Sequence, residues 1–264
     1  MGETPVKTCL CSIACKNGDW TAERIIDVAA ELQFDGIELW GNFFNGADPA
    51  RCRQIVQYAR DRGLTVPMIS PYIGFFDISK GNHAAMVAEC RKFLEIAAAV
   101  GVSRIRSFAG FVCEISAATS DEANWAYAIN GFAEYAALAE QYDVDLALET
   151  HEQSLIDAMS GIEMLLRGVP SRRLKINFQI DRLPENSGMT ITQIWNRLRD
   201  RVVHAHYHVP TRDDKQAQTR ELFRCMKRDN WDGFISVEYC KDEKAADVIA
   251  RVGLDHLRRD WSAA

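Results

Sequence analysis

Four polar residues stand late in short apolar runs, at positions where a core would take Val or Leu: Glu149 in DLALETH, Gln179 in KINFQID, His206 in VVHAHYH and Glu238 in FISVEY. Strand parity makes the pattern readable. Along LALETH, Leu146 and Leu148 share one face while Ala147, Glu149 and His151 share the other. Two carboxylates, an amide and an imidazole converging from the ends of different strands suit a metal ion or a sugar, not apolar packing. Paired carboxylates such as Glu149 and Glu238 can also exchange a proton at the carbon alpha to a carbonyl. One takes the proton while a metal stabilises the enediolate, and the other returns it or protonates a departing hydroxyl. Return gives isomerisation or epimerisation; loss of the hydroxyl gives dehydration.

The same parity puts Glu38, Trp40, Arg106, Asn177, His204 and His208 on inward faces late in their strands. Arg106 either grips a substrate carboxylate or phosphate or neutralises Glu149, and in the second case Glu149 is a buried structural carboxylate. His204, His206 and His208 repeat at period two. Of these His206 is assigned to metal, His204 to support beneath it and His208 to the rim. Among Trp40, Tyr72, Phe75 and Phe76, Trp40 is expected to touch substrate, the others capping the core. Glu38 either bonds substrate hydroxyls or holds its loop.

These residues need a scaffold of many strands, and the chain provides one. Its 264 residues fit one large barrel of alternating strand and helix. Strands are predicted near 6–14, 35–39, 64–70, 102–107, 144–150, 173–179, 202–208 and 233–239. Between them, TAERIIDVAAELQ, DPARCRQIVQYARDRG, HAAMVAECRKFLEIAAAVG, SDEANWAYAINGFAEYAALAEQY and DDKQAQTRELFRCMKRDN have helical composition. Thr21, Asp48 and Ser120 read as N-caps, and Gly63 and Gly101 as C-caps. Pro170, Pro184 and Gly188 interrupt the fifth and sixth helices. No linker divides residues 1–264, and SIACKNGDW lacks the Gly-rich turn of a dinucleotide-binding sheet. The expected class is α/β, a single (β/α)8 barrel in a single domain.

The net charge of −6, with basic residues scattered, offers nucleic acid no electrostatic footprint. No apolar run approaches the roughly 20 residues of a membrane span, and MGETPVKTC lacks the pattern of a secretory signal, so a cytoplasmic location is expected. The eight cysteines form no CxxC pair. They read as reduced thiols and small buried fillers, Cys9, Cys11 and Cys15 near the first strand included.

With these residues in place, FDGIELW, LALETH, VVHAHYH and GFISVEY resemble the second, fifth, seventh and eighth strand signatures of the sugar phosphate isomerase/epimerase superfamily, the xylose-isomerase-like barrels. The resemblance implies a divalent metal, Mn²⁺ or Mg²⁺ first and Co²⁺ or Zn²⁺ next. Its ligands would be Glu149, His206 and Glu238, with Gln179 where the family has Asp. That replacement removes a negative charge and weakens the site. RIRSFAG and ALETHEQSL are similar to segments of relatives that dehydrate or isomerise sugar-like acids, which makes Arg106 and His151 substrate contacts. Arg212, six residues after His206, matches a substrate-contacting Arg of the ketose 3-epimerases, whereas Leu155 and the missing sixth-strand His depart from that group.

The implied activity is an isomerase or epimerase acting on a sugar or sugar-derived acid. The alternatives are a dehydratase on a related hydroxy-keto acid, and a non-catalytic sugar-binding barrel with a degenerate metal site. An abasic-site endonuclease on the same scaffold would need many more His and Asp ligands than six histidines allow. The expected partner is a small molecule, with no nucleic acid or membrane, and homo-oligomerisation is left open.

Overall fold

A computed structural model describes residues 5–16, 18, 20–74, 76, 81–110, 115–239 and 246–264. Phe75, Cys113 and Cys240 lie outside the described residues. The strands β1 (Lys7–Cys11), β2 (Gly36–Trp40), β3 (Ile69–Ser70), β4 (Arg104–Ser107), β5 (Asp145–Glu149), β6 (Leu174–Phe178), β7 (Val202–His208) and β8 (Phe234–Tyr239) close into a barrel in chain order. The pairs with a described register are all parallel. Helices separate them: α1 (Ala22–Glu31), α2 (Pro49–Asp61), α3 (His83–Val100), α4 (Glu122–Tyr142), α5 (Met159–Gly168), α6 (Leu183–Ser187), α7 (Ile191–Leu198), α8 (Asp213–Arg228) and α9 (Ala246–Ser262). This is the (β/α)8 architecture expected from the alternation. Among the described residues no helix is long and apolar enough to cross a membrane.

The chain packs as two compact units, one of Met1–Met68, Ile191–Arg197 and His204–Ala264, the other of Ile69–Thr190 and Leu198–Val203. In the first unit, β1 lies between β2 and β8, with Cys11 level with Glu38 and Leu10 level with Val237. Thr21 caps α1 by accepting from the Arg24 N–H, and Asp48 caps α2 by accepting from the Arg51 N–H at 2.8 Å. Ile25 and Ile26 of α1 are at most 2% exposed, each contributing about 1.5–3 kcal/mol by burial. On α7, Ile191, Ile194, Trp195 and Leu198 follow helical spacing and are all buried, and the Trp195 indole donates to Asp229 at 2.8 Å.

The second unit holds β3 to β6, whose strands are buried on both faces as a helix-covered parallel sheet requires. The cap of α4 is Asp121, which accepts from the Asn124 N–H at 2.8 Å, and not Ser120. Carboxylate and hydroxyl stood side by side in the sequence, and the carboxylate is the one in reach. Gly101 closes α3 with φ of 65°, a left-handed geometry that costs glycine nothing.

Most strands trim at their ends, and two are much shorter than predicted. The third, expected over 64–70, is a ladder only at Ile69–Ser70, with an isolated bridge between Gly36 and Thr65. Pro67 stands in the gap, and its missing N–H interrupts the ladder. The first, expected to run to 14, ends at Cys11 and turns into a 3-10 helix over Ser12–Cys15. There the Ser12 hydroxyl, instead of a backbone carbonyl, accepts from the Trp40 N–H at 2.7 Å.

Candidate functional site

In the first unit β7 sends three imidazoles inward, and two carboxylates meet them. Glu38 on β2 is fully buried, yet carries a charge-bearing group, so it must be paired. His204 Nε2 lies 3.2 Å from Glu38 Oε2 and 2.7 Å from Ser236 Oγ. His206 Nε2 lies 3.0 Å from Glu38 Oε2, while its other nitrogen, Nδ1, lies 2.9 Å from Glu238 Oε2. His208 Nε2 approaches the same Glu238 oxygen at 2.9 Å. A chain of alternating acid and imidazole thus runs from Glu38, fully buried, through His206 and Glu238 to His208, whose side chain is 33% exposed.

The electrostatics follow from this chain. Burial alone would raise the Glu38 carboxyl, but the charge of His206 and hydrogen bonds from His204 and His206 outweigh it and hold it well below the usual carboxylate range. At Glu238 burial again pulls upward, and the charge and hydrogen bond of His206, then those of His208, bring the carboxyl well below that range. Each ring nitrogen of His206 thus faces one of the two carboxylates. A metal ion could replace the proton on the Nδ1 edge while Nε2–H still donates to Glu38, the carboxylate–histidine–metal arrangement that fixes ring orientation.

Among the described residues, two donor groups are compact enough for such an ion: Glu38 with His204 and His206, and Cys11 with His206 and Glu238. In each, the ligand atoms lie within 4.8 Å of one another. Nitrogen, oxygen and sulfur donors of this kind fit a divalent ion. Cys11 is the residue that sequence reasoning passed over as a filler. The signal was available in its parity, since it faces the same way as its neighbours in register, Glu38 on β2 and the end of β8.

In the second unit Arg106 on β4 donates through Nη1 to Glu149 Oε2 at 3.0 Å, with both side chains at most 2% exposed. The guanidinium also faces the Phe108 ring at 4.6 Å and the Tyr72 ring at 5.1 Å, a cation–π setting for a buried charge. His151, just past β5, meets Phe108 edge-on at 6.1 Å, and its Nδ1 lies 2.6 Å from the Glu152 carbonyl. Gln179 follows β6 and is 2% exposed; its amide donates to Asp181 at 2.5 Å, and Thr150 bonds its backbone carbonyl at 2.7 Å. Asp181 therefore lies past the strand and engages the Gln179 side chain. Asn177, also buried, pairs in register with Glu149.

The remaining predicted contacts have partners of their own. Trp40 is half-buried with its ring edge-on to Phe43 at 6.0 Å. Arg212 precedes α8, is 64% exposed and pairs with Asp214. Leu155 and Phe76 are fully buried in the core.

Residues 26–260 match the family described as the xylose isomerase-like TIM barrel. The chain belongs to that family. Among curated members of known activity, a 3-dehydroshikimate dehydratase from Bacillus anthracis is 28% identical over 207 residues, 76% of this chain and 71% of the relative. A solved structure of a probable 3-DHS dehydratase from Bacillus anthracis, involved in petrobactin synthesis, superposes with a TM-score of 0.79 at 21% identity, covering 96% of this chain and 98% of that one. D-psicose 3-epimerase from Clostridium cellulolyticum H10 superposes with a TM-score of 0.76 at 16% identity, covering 97% and 99%. These relatives are a dehydratase and an epimerase, and the chain is an enzyme of this superfamily.

Proposed function

We propose that this barrel is a metal-assisted dehydratase removing water from a hydroxylated keto acid of the 3-dehydroshikimate kind. The observation that carries the proton chemistry is the acid–imidazole chain from buried Glu38 to rim-exposed His208. The substrate class is supported by the curated dehydratase matched over three quarters of the chain. An ion held at the Nδ1 edge of His206 and at Glu238 would supply polarisation of the substrate ketone.

The protein's own groups do the rest. Glu238, ionised at neutral pH because two imidazoles bond it, takes the proton from the carbon alpha to the ketone. His208 accepts that proton from Glu238 and passes it to solvent. Glu38 and His204 hold the His206 ring in place, Glu38 through Nε2 and His204 through the shared carboxylate. The resemblance gives Glu149 the complementary acid–base role at the beta hydroxyl, which leaves with a proton as water. Arg106, His151 and Arg212 are the proposed grips for an anionic or hydroxyl-rich substrate, with Trp40 as an apolar contact.

Epimerisation uses the same first step with the proton returned to the other face, and it is the second reading. The two separate in a panel of 3-dehydroshikimate and ketohexoses in deuterated water, with metal supplied and products read by mass and NMR. A product lighter by one water is expected from the keto acid, and Glu238→Gln should lower its rate by about 10²–10⁴. Deuterium at carbon without loss of water would replace this reading by epimerisation. No turnover across the panel, with ligand still bound, would overturn both readings of the substrate.

A further inference from the structure

Cys11 is the last residue of β1, between the two carboxylate-bearing strands. Its register partner on β2 is Glu38, and one step beyond the Leu10–Val237 pair brings it level with Glu238 on β8. It is 1% exposed, and its Sγ, a His206 ring nitrogen and a Glu238 oxygen lie within 4.8 Å of one another. Ligand atoms about 2.0–2.3 Å from a shared tetrahedral ion stand closer together than that limit, so only small side-chain rotations are needed. The edge of His206 that faces Glu238 is Nδ1, leaving Nε2 to Glu38.

From this placement we infer that Cys11 is itself a metal ligand, making a Cys–His–Glu site that favours a thiophilic ion, Zn²⁺ or Co²⁺, over Mg²⁺. The inference rests on the metal-assisted reading above and deepens it. The physical reason is charge and softness together. Beside the carboxylate of Glu238 and the imidazole of His206, a thiolate adds negative charge in a soft form that hard Mg²⁺ does not reward. It also accounts for sulfur at a level of the barrel where β2 and β8 both present carboxylates. A filler would do as well there with Ala or Val.

Two measurements on the whole protein test the assignment. Loaded with Co²⁺, the wild type should show a sulfur-to-cobalt charge-transfer band in the near ultraviolet. Cys11→Ser should lose the band and Cys9→Ser should keep it. Zn²⁺ affinity by competition with a chelating dye should fall about 10–100-fold or more in Cys11→Ser, since loss of even a supporting group at a metal site costs that much. Should Cys11→Ser fail to fold, X-ray absorption of the Zn²⁺-loaded wild type gives the answer without a variant, with one sulfur near 2.3 Å expected. Stoichiometric Co²⁺ binding without the band, or a zinc shell of nitrogen and oxygen alone, overturns the sulfur ligand and leaves the metal-assisted reading standing. Failure to bind Co²⁺, Zn²⁺, Mn²⁺ or Mg²⁺ overturns both.

Discussion

Glu149→Gln is the perturbation with the clearest energetic signature. Glu149 and Arg106 are 1–2% exposed and 3.0 Å apart, so solvent screens neither charge. Removing one partner of such a pair strands the other in the interior, at a cost of about 3–5 kcal/mol. Which end of that range applies is set by what remains. In Glu149→Gln the guanidinium keeps the faces of Phe108 and Tyr72, at 4.6 and 5.1 Å, and an amide oxygen to donate to. That places the loss near 3 kcal/mol. In Arg106→Met the carboxylate loses this guanidinium, and the aromatic contact worth about 1–2 kcal/mol is lost as well, so the loss moves toward 5 kcal/mol. With both residues apolar, in Arg106→Met/Glu149→Leu, no charge is left to solvate, and the variant should recover most of the deficit.

Urea unfolding with a chelator present measures this without a contribution from bound metal. At a slope of about 3 kcal/mol per molar, the single variants should shift the midpoint down by about 1–1.7 M with the slope unchanged. A Glu149→Gln loss below about 1 kcal/mol, or a double variant as unstable as the sum of the singles, would refute the claim that the two charges depend on each other.

Two further expectations concern groups away from the imidazoles. Asp157 is 8% exposed and accepts from the Ala117 N–H at 3.1 Å, and burial pushes its carboxyl above the ordinary value. Its folded pKa lies above its unfolded one, so its contribution to stability is present in acid and is lost as pH rises from the unfolded value, about 3.9, through the folded one. Asp157→Asn should therefore gain on the wild type between pH about 3.5 and 7; a difference in unfolding free energy that stays flat with pH would contradict this. Asp260 is 1% exposed and accepts from Tyr207 at 2.8 Å, Gln216 at 3.2 Å and Arg220 at 3.1 Å, tying β7, α8 and α9 together. Tyr207→Phe should cost about 1.5–3 kcal/mol, the worth of a hydrogen bond to a charged group, and Asp260→Ala more; thermal unfolding in which Tyr207→Phe matches the wild type would remove the tie.

The barrel was legible because its strands and helices carry local signatures. Thr21 and Asp48 cap where a hydroxyl and a carboxylate precede helical spacing, and VVHAHYH occupies the range its alternation implies. What escaped depends on partners far along the chain. Glu38 and His206 are 168 residues apart, and nothing local to either says that the Glu38 carboxylate spends both oxygens on imidazoles. Parity placed both on inward faces but could not pair them. Cys11 reads as packing in the sequence because sulfur is apolar, and only the fold sets it level with Glu38. Pro67 was in plain view and still did not shorten the predicted third strand, because the apolar run around it continues unbroken.

These misses share a cause that bears on function. A core obeys local rules, and the residues that break them survive only where something nonlocal compensates. Glu38 buried at 0% exposure, Arg106 at 1% and His204 at 0% are each unfavourable alone. Each has a hydrogen-bonding partner on another strand, and burying so many charges in one small protein has no packing advantage over Leu and Val of the same volume. Their presence is therefore better explained by chemistry than by stability. A charge-free double variant at Arg106 and Glu149 that proves as stable as the wild type but inactive would separate the two explanations in a single protein.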